Sequence, residues 1–376
     1  MHRRLASVFA AILVLSSSAA IAAVPFSALK WRLVGPLRGG WATAAEGVPG
    51  QPDTFYFGAA DGGVWKTTDA GRTWNPLFQN EASASIGAMG VAPSDPKVLY
   101  VGTGQVTTRW DIVSGTGVYR SGDGGRTWEQ RGLADTRHIG RLWIDPRDPD
   151  VVVVAALGHI FGPNEERGVF RTTDGGETWK KVLFVDAGTG AVDLAADPGA
   201  PDTLFASTWQ VRHYPWQAYF TPGTGPGSGV FKSTDGGKTW TRLTGHGLPD
   251  GPLGRIGLAV APGSKGARVY ATIDAAGPAS GVYRSDDGGA QWQRVNSNAG
   301  LAGAYFAALT VDPKNPDTVY VMGQSIRRST DGGKTFSFLR GAPGGDDYHF
   351  LWIDPQKPER MIAAADQGTV ITVNGG

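Results

Sequence analysis

The chain has 376 residues with a formal net charge of +1, 18% charged residues and no basic run longer than a pair, which argues against nucleic acid or an anionic membrane as its main partner. Cysteine is absent, which removes disulfides, thiol nucleophiles and thiolate metal sites together. Glycine, at 56 residues, is about twice as frequent as usual, while an apolar share of 41% and 13 tryptophans supply ample core; this is a turn-rich globular protein.

In chain order the first element is a leader. His2-Arg3-Arg4 precedes an apolar stretch from Leu5 to Leu15, and Ala20-Ile21-Ala22 offers a small-residue cleavage site. Residues 1–23 therefore read as a secretory signal peptide, too short in its apolar part to span a bilayer. A secreted or periplasmic location follows, with no membrane association after cleavage. The segment "WRLVGPL" at 31–37 resembles the strand that follows each of the repeats described next, yet no repeat precedes it.

From residue 67 onward one octapeptide recurs: "TTDAGRTW" at 67–74, "SGDGGRTW" at 121–128, "TTDGGETW" at 172–179, "STDGGKTW" at 233–240, "SDDGGAQW" at 285–292 and "STDGGKTF" at 329–336, with "TVNGG" at 372–376 a seventh, cut short. The mean step of about 51 residues is that of a four-stranded propeller blade. A second motif runs in phase, apolar segment, proline turn, apolar segment, as in "VAPSDPKVLYVG" and "VDPKNPDTVYVM". Each unit thus spells strand, proline turn, strand, variable loop, strand, box, strand. The expected fold is all-β: a seven-bladed β-propeller of four-stranded antiparallel blades over residues 31–376. Residues 31–37 are expected to complete blade 7 as its outer strand, and the break inside the seventh box suits the N-terminal part of a longer protein. The box explains itself as a turn: aspartate accepts backbone N–H groups, glycine tolerates positive φ, and hydroxyls satisfy what remains.

Proline turns and boxes share one face, so the variable and between-blade loops share the other, where function is expected. The longest are "GTGQVTTRWDIVSGTG" in blade 2, "LGHIFGPNEERG" in blade 3 and "STWQVRHYPWQAYFTPGTGPGSG" in blade 4. They offer Trp110, Trp209, Tyr214, Trp216 and Tyr219 for stacking on sugar rings or peptide side chains, and Arg109, Asp111, Arg167 and Arg212 for polar contacts. His159 sits in the blade 3 loop. Between-blade segments add Arg38 and Trp41, Arg137 and His138, Asp250 and Arg255, Tyr305, and Asp347 with His349. No two histidines stand at metal-binding spacing, so neither a metal nor another cofactor is expected.

Boxes of the form S/T-x-D-x-G-x-T-W resemble the Asp-box (BNR repeat) families. More closely, "WRLVGPLRGG" and "FYFGAADGGVWKTTDAGRTW" with "GHIFGPNEERGVFR" and "LWIDP" resemble exported bacterial proteins labelled BNR-repeat glycosyl hydrolases, similar in turn to the sortilin VPS10 domain and to family 74 glycoside hydrolases. The resemblance covers residues 31–376 and implies fold more firmly than activity. The family 74 likeness implies that Asp61, in "AADGGVW", stands at the kind of position that holds a catalytic base. Asp111, Glu165 and Asp347 remain open as the partner acid that inverting hydrolysis needs. Two functions stand: a monomer that binds an extended glycan or peptide ligand on its loop-rich face, and a family 74-like hydrolase of β-glucan-type polysaccharide.

Overall fold

The computed structural model describes residues 39–109, 111–214, 216 and 223–376. The strand expected at 31–37 lies outside them, as do Arg38, Trp110 and Tyr219. The described chain is a seven-bladed β-propeller. Blade 1 is Ala42–Val48, Gln51–Ala59, Gly63–Thr67 and Asn75–Pro76, hydrogen-bonded in that order and antiparallel throughout. Five further blades repeat the pattern, with innermost strands Ile86–Val91, Ile139–Ile144, Thr189–Ala196, Leu253–Val260 and Leu309–Val311. Blade 7 has three strands among the described residues, Tyr348–Ile353, Met361–Ala365 and Gly368–Thr372. No α-helix occurs among the described residues, and three single 3₁₀ turns sit in connections.

Position in the blade explains composition. The second strand of a blade is covered on both faces by its neighbours, so "LYVGT", "VVVAA" and "MIAAA" are buried at every residue and read as apolar runs instead of alternating ones. Outer strands such as Glu129–Gln130 are exposed. Blades approach closely where side chains are missing: a methyl group on Gly58 would come within 2.3 Å of Ile86, and one on Gly102 within 2.3 Å of Ile139. These are equivalent positions in blades 1 and 2, each receiving the isoleucine that opens the next blade. Each such apolar side chain buried between blades contributes about 1.5–3 kcal/mol. The ring closes in the same way, with Phe55, Phe57 and Trp65 of blade 1 sharing a core with Ile362 and Ala364 of blade 7.

The boxes are turns, as expected. In blade 4, the Ser233 hydroxyl donates to Asp235 (2.7 Å) and accepts from the Gly237 amide (2.9 Å), while the Thr239 hydroxyl and amide donate to Asp235 (2.6 and 3.0 Å). The Thr239 hydroxyl is the largest of the contacts that hold the Asp235 carboxyl well below the usual carboxylate range, so the acid is consumed by folding. The basic residue just before each of the first five boxes fastens its blade to the following one. Lys66 donates to the Gly124 carbonyl (3.3 Å), Arg171 to Gly236 (2.9 Å), Lys232 to Gly288 (2.7 Å) and Arg284 to Gly332 (3.2 Å). Arg120 reaches blade 3 through Asp150 (3.0 Å). In blade 7 this place belongs to Ile371, whose Cδ1 packs against Gly71 of the first box.

Candidate functional site

The axial channel has two mouths. The one on the proline-turn face is an apolar funnel of ≈ 480 Å³, lined by one turn proline per blade from Pro49 to Pro355. Its one titratable acid is Glu46, pushed up to about 8 by burial against the opposing charge of Arg141. Arg141 itself is bonded to Asp193 at 2.8 Å and lies 4.5 Å from the Phe350 ring centroid. Above these residues the channel narrows to a cavity of ≈ 60 Å³ that ends beneath Tyr305, Phe306 and His349 on the loop face.

That second mouth divides into two halves. Over blades 2 to 4 the loops pack on one another. Val106, Ile112, Leu157, Ile160, Trp209 and Val211 form one apolar cluster, and this corrects the expectation for Trp209. Its strand, Leu204–Gln210, runs further than the sequence suggested, its indole is 0% exposed, and its Nε1 donates to the Gly223 carbonyl at 2.7 Å. It has no face left for a ligand. His138 is corrected for the same reason: fully buried, it sets Nδ1 2.8 Å from the Gln105 carbonyl and Nε2 3.3 Å from the Ser114 hydroxyl. A carbonyl only accepts, so Nδ1 carries the proton. Burial lowers the His138 imidazole to about 4. Arg167, also buried, donates to the carbonyls of Gly188, His159 and Gly162 and holds the blade 3 loop in shape. Half-buried His159 lies in the field of Arg137, which pairs with Asp135 at 3.4 Å. Arg255 is spent on the carbonyls of Ala304 and Tyr305. Among the described aromatic residues here Trp216 stands out, 81% exposed and 5.3 Å from Tyr214, and Phe161 of the blade 3 loop is exposed as well.

Over blades 6, 7 and 1 the expected residues do come together. The His349 ring lies 4.9 Å from Trp41, 5.9 Å from Tyr305 and 6.0 Å from Phe306. The blade 2 loop carries Arg109 across to them: its guanidinium lies 5.1 Å from the Trp41 ring centroid, its Nη1 reaches the Tyr305 hydroxyl at 3.5 Å, and its Nε donates to Asp111 at 2.8 Å. His349 Nε2 is 2.9 Å from Asp366, with the histidine side chain 5% exposed. Asp61 occupies the hairpin between the second and third strands of blade 1, and Asp366 the same hairpin of blade 7. Burial and the charge of Asp111 lift the Asp61 carboxyl above its ordinary range against the pull of Arg109. Burial and Asp366 do the same to Asp347, against His349 and Arg109. Glu165 stands apart on the exposed blade 3 loop. Phe306 and the pairing of Asp366 with His349 were missed from the sequence, although the pair Tyr305-Phe306 before an inner strand and the echo of "ADGG" in "ADQG" were both there to be read. Among the described residues no group of three or more histidine or acidic side chains is placed to hold a metal ion.

Comparison with known proteins agrees with this geometry. The model of the BNR/Asp-box repeat matches residues 170–181 and 231–242. Xyloglucanase Xgh74A of Acetivibrio thermocellus is 30% identical over 88% of this chain and 42% of its own length, and a xyloglucanase of a Paenibacillus species is 28% identical over 84% and 33%. The chain thus spans less than half the length of these relatives. The crystal structure of a family 74 xyloglucanase from Xanthomonas campestris superposes with a TM-score of 0.65 at 20% identity, over 92% of this chain and 54% of that one, and this likeness speaks to the fold alone. With a box in each blade and relatives of this kind, the chain is a BNR/Asp-box repeat propeller, related in sequence to the family 74 xyloglucanases.

Proposed function

We propose that the chain binds a neutral β-glucan of the xyloglucan type across the loop-face mouth over blades 6, 7 and 1, and that Asp61 is a hydrolytic carboxylate of that site. One observation carries the reading: a carboxylate raised above its ordinary range stands beside a cluster of four aromatic rings, in a chain related to xyloglucanases over most of its length. Aromatic rings suit the apolar faces of sugars, while Arg109 and its carboxylate partners suit hydroxyl groups.

Titration calorimetry with xyloglucan oligosaccharides tests the reading. Saturable binding that is weakened in Trp41→Ala supports it, and heats indistinguishable from dilution with well-folded protein overturn it. Export belongs to the same proposal. Mature protein recovered from outside the cytoplasm is expected to begin near Ala23 or Val24, as mass spectrometry will show.

A further inference from the structure

We infer that the funnel on the proline-turn face is a second binding site, which takes a small amphipathic monocarboxylate with its apolar tail among the turn prolines and tryptophans and its head between Arg141 and Glu46. Strand register sets the funnel out in layers. Glu46 pairs with Tyr56, Trp143 with Val153 and Trp352 with Ile362, and these partners pair in turn with Lys66, Arg171 and Ile371, the residues just before a box. The three thus hold one place in blades 1, 3 and 7. Blades 2, 4 and 5 put Gly90, Ala195 and Ala259 there, so two large rings and one acid face small residues. The funnel keeps its ≈ 480 Å³, a size within the range of small-molecule sites. Trp352 is fixed beside Glu46, since a methyl group on Gly47 would come within 2.2 Å of its ring. One layer deeper the same register places Arg141, Asp193 and Phe350 in blades 3, 4 and 7.

Charge decides what the head must be. Among the described residues that line the funnel, Glu46 and Arg141 alone have ionisable side chains. Arg141 gives Nε to Asp193 at 2.8 Å, and its terminal nitrogens make no hydrogen bond among the described residues. Further along the channel Arg255 spends Nη1 on two carbonyls, and burial, opposed by Asp193 and aided by the Arg141 charge, lowers it to about 10. One carboxylate, Asp193, stands against these two cations, and it already accepts from the Leu194 and Leu258 amides, each at 2.9 Å. At the far end of the channel His349 is held by Asp366 at 2.9 Å. A guanidinium shielded from water favours an incoming anion. Glu46 does not compete for it near neutrality, because burial pushes its carboxyl up to about 8 against the Arg141 charge and a hydrogen bond from Trp352. At pH 7 it carries a proton and donates. A carboxylate head therefore accepts two charge-assisted hydrogen bonds, one from each residue, while the Trp143 and Trp352 rings cover the tail.

The test is calorimetry on the whole chain with octanoate, acetate and octylammonium. Octanoate is expected to bind at one site per chain, roughly tenfold or more tighter than acetate, which lacks the tail, and than octylammonium, which reverses the charge. Between pH 7 and 9 octanoate stays ionised while Glu46 loses its proton, so affinity is expected to fall about tenfold. Glu46→Gln keeps a neutral donor at that place; it is expected to bind octanoate within about threefold of wild type at pH 7 and to lose the pH dependence. Arg141→Gln is expected to weaken binding by roughly tenfold or more, with melting curves to establish that it is folded; the pH series on wild type and Glu46→Gln decides without it. Four results each overturn the assignment: octanoate heats no larger than dilution, acetate bound as tightly as octanoate, octylammonium bound more tightly, or an affinity in Glu46→Gln that falls with pH as in wild type. Glycan binding at the loop face is measured separately and stands or falls on its own.

Discussion

The two halves of the loop face carry similar residues and put them to opposite uses. Over blades 2 to 4, Trp209, His138 and Arg167 are buried and their polar atoms are spent on backbone carbonyls and a serine hydroxyl. Over blades 6, 7 and 1, Trp41, His349 and Arg109 touch mainly one another, at a mouth that also holds two carboxylates without hydrogen-bond partners among the described residues. Residue type does not decide which role a loop side chain takes. What decides is the packing around it: the described parts of the blade 2 to 4 loops bury Trp209 and His138 completely, while Trp41 and Phe306 stay half-buried beside the buried Tyr305 and His349 side chains.

Mutation can break this contrast. Trp209→Ala removes a fully buried ring from the plug and is expected to cost about 3–5 kcal/mol of stability, read as a lower melting temperature, with glycan affinity per folded molecule unchanged. Lost affinity at an unchanged melting temperature would show that Trp209 belongs to the binding half instead. His138 gives the plug a pH signature. Its folded imidazole titrates at about 4, against roughly 6.5 in the unfolded chain, so between those values the unfolded state holds the extra proton. Stability is therefore complete above pH 6.5 and falls by about 3 kcal/mol as pH drops toward 4. Denaturant titrations across that window, compared with His138→Gln, check both direction and size.

The binding half should respond in the other currency of measurement. Trp41→Ala is expected to weaken oligosaccharide binding by about 1–2 kcal/mol, roughly 5–30-fold in Kd, with little change in melting temperature because the indole is only half-buried. Asp111→Asn is the finest probe. Removing that charge lowers the Asp61 pKa, since Asp111 raises it and also engages the Arg109 that opposes it. The acid limb of the cleavage profile should then move to lower pH, and a shift to higher pH would place the base elsewhere.

The fold was legible because its signals are local. A box such as Ser233 to Trp240 closes its own hydrogen bonds within eight residues, and each proline turn states where a strand ends. The site was only half legible. Position in the blade, which the repeat numbers reliably, made Asp61, Trp41, Tyr305 and His349 candidates, and the structure gathers the last three. Trp209 was misplaced because its strand continues to Gln210 and is buried on both faces through Trp209, with the ring packed against loops more than 40 residues away in sequence. Contacts between blades leave no periodic trace.

The basic fasteners before the first five boxes all point one way, while the box tryptophans Trp128 and Trp179 donate back to Leu77 and Arg131 of the preceding blade. Lys66, Arg120, Arg171, Lys232 and Arg284 each reach into the blade that comes next in the chain, and none reaches back. A nascent chain emerging from the ribosome therefore always carries one blade whose basic side chain still waits for its carbonyl or carboxylate, and each newly made unit satisfies the one before it. Over the first five blades assembly acquires a direction from this chemistry. The seam between blades 7 and 1 is different in kind: where the other blades place a basic residue, Ile371 of blade 7 meets Gly71 of the first box through apolar contact.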